Sequence, residues 1–399
     1  MPAAREVGRC RDVLMLQQLP DRAWFRPRSP RNDRDAAPAS ANQGSDDKSC
    51  PVNEMTTVAC DSSATPVRLA DPRGRQALLA QALAIATLAL ESHRVAWALT
   101  PVSAPLLHAL EAIEREHAVL LPESQGPGEL ASRIEEIAVE LRAHLERLQA
   151  GPTAEGDGPA GVRVVEVLNR LVYQDLAMRA SPDLRDPGNL FLSTVLKRHQ
   201  GYCVGLVSFY LALAEQADLP LFAVAAPAHI FVRYDDGTVR INIETTAGGA
   251  SRTDDAYIQE FSIPAAAIRR GVFLRNLARE EFLGQVRNNI GVIYSERSRF
   301  HEAAREYGLA LDLDRRLPAA WYNRGNDLLR ASDYGTAVRY FTKSLKLYAD
   351  DVWVLNNRGM AYLGLRKASK ARQDFEAALK LNPGFEQARQ NLEGLGPAP

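Results

Sequence analysis

The sequence predicts an α+β unit followed by an all-α helical-repeat solenoid, and three observations carry that prediction. From about residue 280 onward the same residue types return every 34 positions. Ahead of the repeats, VGLVSFYLALAEQADLP is apolar nearly all round and stops at Pro220, as a helix buried inside a domain does. Directly after it come LFAVAA and AHIFVRY and, past the turn signal DDG, TVRINIET. These stretches run or alternate apolar with β-branched and aromatic residues, the pattern of strands.

Composition bounds the function. A chain of 399 residues suggests two or three domains. Its 46% hydrophobic and 24% charged residues are those of a globular protein. With 48 basic against 49 acidic residues, no positive excess exists to collect nucleic acid or anionic lipid, so neither is expected as a partner. Of the cysteines, Cys10, Cys50 and Cys60 lie in a polar leader and only Cys203 lies in the expected folded body. No CxxC pair or other metal spacing occurs, so no metal, cofactor or disulfide framework is predicted, and a reducing, cytoplasmic compartment is the better reading.

In chain order, residues 1–70 are rich in Pro, Ser, Asp and Arg without a hydrophobic period and are expected to form a disordered tail. QALLAQALAIATLAL (76–90), preceded by Arg73 and Arg75, resembles the start of a secretory signal. It is too short to span a bilayer and no small-residue cleavage site follows it, so it is read as a buried first helix. Whether translation starts at Met1 or Met55 stays open. In ELASRIEEIAVELRAHLERLQ, Ile134, Ile137, Ala138, Leu141, Leu145 and Leu148 form one helical stripe. The Gly- and Pro-containing GPTAEGDGPAG then leads to a further helix, RVVEVLNRLVYQDL. These helices and the strands make one expected domain, 71–275, and the repeats with a capping helix another, 280–397.

Within the repeats, Gly291, Gly325 and Gly359 recur in register, as do Ala303, Ala337 and Ala371, and Tyr307, Phe341 and Phe375. Small residues let two helices approach closely where they cross, and the aromatic fills the gap between helix pairs. With Trp321 and Pro383, this pattern resembles the tetratricopeptide repeat; three repeats cover about 284–385, and FEQARQNLEGLG resembles the solvating helix that closes such arrays. Asn289, Asn323 and Asn357 share one register position, which in that family faces the concave groove and can hydrogen-bond an extended peptide. The bland reading, that consensus-like repeats simply carry Asn there, stays beside it. Neighbouring groove lysines are missing, which argues against a clamp for a peptide carboxylate.

The other candidate site is Cys203 with His229 and Glu244. Cys203 stands in the first turn of its helix, where unpaired backbone N–H groups stabilise a thiolate; by itself it reads more readily as apolar filler, as most lone cysteines are. If Asp236 and Gly237 form a two-residue hairpin loop, opposed residues sum to 473, which places His229 opposite Glu244 and turns Ile230 and Val232, facing Ile243 and Ile241, to the buried side. A carboxylate opposite an imidazole orients the ring, whose other nitrogen can exchange a proton with a thiol. The plain alternative is a cross-strand polar pair on a half-exposed sheet.

GYCVGL, AHIFVRY and NIETT, in that order and at these intervals, resemble the transglutaminase-like cysteine superfamily, and NLFLSTVLKRHQG resembles its bacterial SirB-type branch fused to tetratricopeptide repeats. The resemblance implies a papain-like α+β fold, with Cys203 as nucleophile, His229 as base and Glu244 in place of the usual Asp. Calcium is not expected from that branch. Cys203 N–H, with Gln200 or Tyr202, is the candidate oxyanion donor set. The implied function is acyl transfer or amide hydrolysis on a protein or peptide, with partners held by the repeats. The alternative is an inactive scaffold of the same fold that acts as an interaction adaptor. Oligomeric state is not legible.

Overall fold

The computed structural model describes residues 105–121, 129–150, 159–183 and 186–396. The expected tail 1–70 and the helix expected at 76–90 lie outside the described residues. Three helices come first: α1 (Leu106–Glu116), α2 (Glu129–Ala150) and α3 (Ala160–Arg170). The stripe read in α2 is real: Ile134, Ile137, Ala138, Leu141 and Leu145 are buried, joined by Leu130, while Leu148 is half-buried. A single π turn, Leu171–Asp175, extends α3.

Short β1 (Arg179–Ala180) pairs in parallel with β2 (Gln200–Gly201), and α4 (Leu192–Arg198) lies between them in sequence. Then comes α5 (Cys203–Gln216), with Cys203 through Ala214 all buried. A four-stranded antiparallel sheet follows in the order β3 (Leu221–Ala226), β4 (His229–Asp235), β5 (Arg240–Glu244) and β6 (Ala250–Arg252). Strand alternation divides its side chains. Leu221, Ala223, Ala225, Ile230, Val232 and Ile243 join the core of α5, while Val224, Ala226 and Phe231 pack with Tyr257 and Phe261 of α6 (Asp254–Phe261) and with residues near α7 (Ala265–Arg269).

The hairpin differs from its expected register. β4 and β5 pair Val232 with Ile243 and Asp235 with Arg240, so opposed residues sum to 475 and the loop is the four residues 236–239. The Asp236 carboxylate causes this. It accepts from Thr238 N–H at 2.8 Å and Val239 N–H at 2.7 Å, and Gly237 adopts φ 82°, which a Cβ would strain. The displacement is by two, so it preserves which face each side chain occupies.

The rest of the chain is a solenoid of helix pairs: α8 (Arg279–Glu296) with α9 (Phe300–Leu313), α10 (Pro318–Arg330) with α11 (Tyr334–Leu347), and α12 (Val352–Gly364) with α13 (Ala368–Leu381), followed by α14 (Glu386–Glu393). The 34-residue period is visible as one repeated contact. A Cβ on Gly291, Gly325 or Gly359 would come 2.5, 2.6 or 2.5 Å from the ring of Tyr307, Phe341 or Phe375. Glycine is therefore required for the close approach of the two helices in each pair.

The first repeat is locked to α1 by buried charge. Arg287 Nη1 lies 2.8 Å from Glu306 Oε2 and 3.0 Å from His117 Nε2, and Arg287 Nη2 lies 2.7 Å from Glu116 Oε2. His117 Nδ1 is 2.9 Å from Tyr294 Oη. Glu116, His117 and Glu306 are spaced as metal ligands could be, but the Arg287 guanidinium already serves as their cation.

Candidate active site

Cys203 opens α5 because the chain before it is extended and cannot continue a helix. Tyr202 has φ −93° and ψ 179°, and no side chain caps the first turn. Leu206 N–H closes that turn on Tyr202 O at 3.0 Å. Asn189 O accepts Tyr202 N–H at 3.2 Å, and the same oxygen lies 2.3 Å from where a Cβ on Gly205 would stand. Backbone cannot yield there as a flexible side chain would. Gly205→Ala is expected to cost about 1–3 kcal/mol in urea unfolding; a change below about 0.5 kcal/mol, the size of an inert surface substitution, would contradict this packing.

His229 is the first residue of β4 because the β3–β4 turn has only two residues. Pro227 fixes its own φ, Ala228 takes φ 54°, and Ala226 pairs directly with His229. His229 and Glu244 lie on one face, and continuing the register sets Phe231, not His229, opposite Glu244. The pair therefore meets along a diagonal, with His229 Nε2 2.7 Å from Glu244 Oε2. This face is not half-exposed, as an ordinary surface pair would be. Tyr257 and Phe261 cover it, leaving Glu244 0% and His229 4% exposed. The imidazole stacks on Phe261 with centroids 5.9 Å apart and planes at 12°.

Glu244 has partners besides the histidine. Tyr257 Oη donates to Oε2 at 2.9 Å, Thr246 Oγ1 donates to Oε1 at 2.6 Å, and Thr246 N–H donates to Oε1 at 3.1 Å. Burial pushes the carboxyl pKa up; the His229 charge and the hydrogen bonds from His229 and Thr246 outweigh it and hold the pKa down at about 2. The same burial, beside the Glu244 charge, drives the Tyr257 hydroxyl well above its ordinary range, so it stays a donor. Behind the site, Tyr173 in the π turn donates to Thr245 O at 2.9 Å and fixes the residue after Glu244.

The depressed carboxyl has a stability consequence. Its folded pKa of about 2 lies below the unfolded value of about 4.3, so its contribution is complete above the unfolded value and disappears as pH falls toward 2. Glu244→Gln should flatten the acid limb of a stability-against-pH curve between those values. Parallel wild-type and variant curves there would contradict the coupling.

The structure thus brings His229 and Glu244 into contact. Cys203 is buried at the start of α5, whose side chains join the core of the sheet's other face. A cavity of about 390 Å³ opens beside the β3–β4 turn; Val204, the residue after Cys203, lines it together with His229. Cys203 itself, Gln200 and Tyr202 stand outside that lining: Cys203 and Tyr202 are buried, and Gln200 sits in β2 rather than ending the helix before it. Of the repeat asparagines, Asn289 and Asn323 line the cavity and Asn357 does not. Asn289 donates to Gln285 O at 2.8 Å, Asn323 to Asn288 Oδ1 at 3.0 Å and Asn357 to Asn326 Oδ1 at 2.8 Å. Sequence reasoning missed Thr246 and Tyr257. Thr246 had a signal, a threonine two residues past the acid, but Tyr257 reaches Glu244 only through the fold.

Two family models agree with this architecture. Residues 129–263 match the family model described as transglutaminase-like superfamily, and residues 352–385 match that of the tetratricopeptide repeat. A UPF0162 protein of Xylella fastidiosa (strain Temecula1 / ATCC 700964) is 26% identical over 217 residues, 52% of this chain and 73% of that protein. Sperm-associated antigen 1 of Mus musculus is 39% identical over 65 residues, 16% of this chain and 7% of the mouse protein. Among solved structures, the first TPR of Spaghetti (RPAP3) bound to HSP90 peptide SRMEEVD is 24% identical, covers 28% of this chain and 89% of that one, and has a TM-score of 0.28. No helix among the described residues is long and apolar enough to cross a membrane. Residues 129–263 are thus a transglutaminase-like domain and residues 352–385 a tetratricopeptide repeat, carried on one chain.

Proposed function

We propose that the protein is a cysteine acyl-transfer enzyme acting on a protein or peptide, with Cys203 as nucleophile, His229 as acid–base group and Glu244 as the orienting carboxylate. The observation that carries the reading is the buried bond from His229 to an ionised Glu244 at the wall of a cavity that Val204 also lines. Glu244 engages Nε2, so Nδ1 is the nitrogen that exchanges a proton with the thiol. The domain from about 71 to 275 then holds the chemistry, and 280–397 holds partners. The reading places the protein in a reducing cytoplasm, where Cys203 stays a thiol.

In the first half-reaction the Cys203 sulfur attacks a carbonyl carbon, and the electron pair of the C=O bond moves to oxygen. Cys203 N–H, at the start of α5, meets that oxyanion. The carbonyl re-forms, the bond to the leaving amine breaks, and the amine departs with the proton held by His229. Water or a second amine then attacks the thioester, gives its proton to His229 and restores the thiolate. Glu244 keeps the ring in place and stabilises its protonated form throughout.

The test is the rate at which Cys203 reacts with iodoacetamide at pH 7 in the purified native chain. Cys203 should react at least about tenfold faster than Cys50 and Cys60, which sit in the leader and serve as ordinary thiols. Reaction no faster than theirs would leave the chain an interaction adaptor on an inactive fold.

A further inference from the structure

The cavity at His229 is not enclosed by the transglutaminase-like domain alone. One wall is the β3–β4 turn, Pro227 to His229, with Phe261 beside it. The lining also includes the first helix of all three helix pairs: Asn289 of α8, Asn323 of α10 and Trp353 of α12. The repeats are therefore part of the candidate site rather than a docking module held apart from it.

The chemistry of the lining selects an occupant. The α8 and α10 wall carries side-chain amides, Gln285, Asn288, Asn289 and Asn323; beyond the bonds from Asn289 to Gln285 O and from Asn323 to Asn288 Oδ1, their remaining donor and acceptor capacity matches the alternating N–H and C=O groups of an extended peptide backbone. The lining holds three carboxylates, Asp314, Asp350 and Asp351, and one guanidinium, Arg316. Arg316 is already ion-paired with Glu281, Asp314 is paired with Arg275 and Arg316, and Asp351 accepts the N–H groups of Trp353 and Val354, which leaves Asp350 to set the field. Asp350 is exposed and unengaged in any helix cap. No lysine lines the cleft, so a terminal peptide carboxylate meets no cationic clamp among the lining residues and would enter a negative field.

We infer that the shared cleft binds an extended segment from the interior of a polypeptide, with a basic side chain near the carboxamide presented to His229. The chemistry at that carboxamide rests on the acyl-transfer reading, but the binding does not. The two are separated by working first in a Cys203→Ala full-length chain, which cannot do the chemistry.

The probe is a fluorescein-labelled decapeptide, acetylated and amidated at its ends, with a central Gln between two Lys residues. Its binding is followed by fluorescence anisotropy. It should bind about tenfold or more tightly than the same peptide with Glu for Lys, and than an acidic peptide with a free C-terminal carboxylate, a difference of about 1.4 kcal/mol. Asp350→Lys should weaken the Lys peptide about tenfold and narrow its preference over the Glu peptide, with the thermal midpoint checked to show that the fold is kept. A benzophenone at the central position should crosslink both tryptic fragment 199–233, which holds His229, and 317–324, which holds Asn323. Equal binding of the Glu or free-carboxylate peptide, no effect of Asp350→Lys, or crosslinks confined to the repeats would overturn the inference. Peptide bound and crosslinked as expected, on a chain whose native Cys203 is unreactive, would sustain the cleft and defeat the enzyme.

Discussion

His229→Ala lowers the rate of Cys203 alkylation at pH 7 about 30-fold, because a thiol left at its ordinary pKa of about 8.5 is only about 3% thiolate there, whereas a thiol paired with imidazolium is nearly all thiolate. The same substitution destabilises the fold. It removes one donor from a carboxylate that is 0% exposed, and Tyr257 and Thr246 remain to hold it. Because three of four donors survive, the expected cost is about 2–3 kcal/mol, the worth of one hydrogen bond to a buried charge, rather than that of a fully stranded ion. A double variant with Glu244→Gln separates the effects. Neutralising the acid should recover part of the stability and none of the alkylation rate, since no base has been restored. Recovery of both, or an alkylation rate unchanged in His229→Ala, would detach the histidine from the thiol.

Phe341→Ala costs about 3–5 kcal/mol in denaturant unfolding, the range for removing a large buried aromatic. Its ring is 0% exposed and lies against Gly325, with no methyl group between them to collapse into the vacated space. It touches Tyr322 of the same pair with ring centroids 6.1 Å apart, and it shares one buried cluster with Val354 and Phe375 of the third pair, so the loss reaches the next pair as well. Tyr307 and Phe375 hold the equivalent places in the first and third pairs. A cost below about 1 kcal/mol would mean that this ring is not part of the packed core of the second and third pairs.

How much of the fold is legible in the residues alone depends on how local the information is. The repeats are legible because each helix pair restates the same small and aromatic positions 34 residues on, and a periodic constraint needs no knowledge of distant contacts. The start of α5 at Cys203 is legible because an apolar run with a following proline marks its own ends. The hairpin reads on the correct faces but two places out in register. Its DDG signal suggests a two-residue loop, whereas the Asp236 carboxylate draws Thr238 and Val239 into a longer one. Face survives such an error because side chains alternate with period two, which is why His229 and Glu244 still meet.

The cover over that pair is not legible. Tyr257 and Phe261 come from a helix beyond β6, and β6 itself, Ala250–Arg252, is three residues long and shows no alternating pattern to betray it. The joint wall of the cavity is equally hidden. Nothing in the spacing of Asn289 and Asn323 indicates that they face the turn at Pro227, because that depends on how the first repeat docks, through Arg287, on α1.

The central claim, a thiolate at Cys203 sustained by His229 and Glu244, is tested most directly by the pH dependence of Cys203 alkylation in the native chain. The account predicts a rate already on its plateau at pH 7, falling only under more acidic conditions as the thiolate takes up a proton. A single rise with its midpoint near pH 8.5, the behaviour of an ordinary thiol, would contradict it.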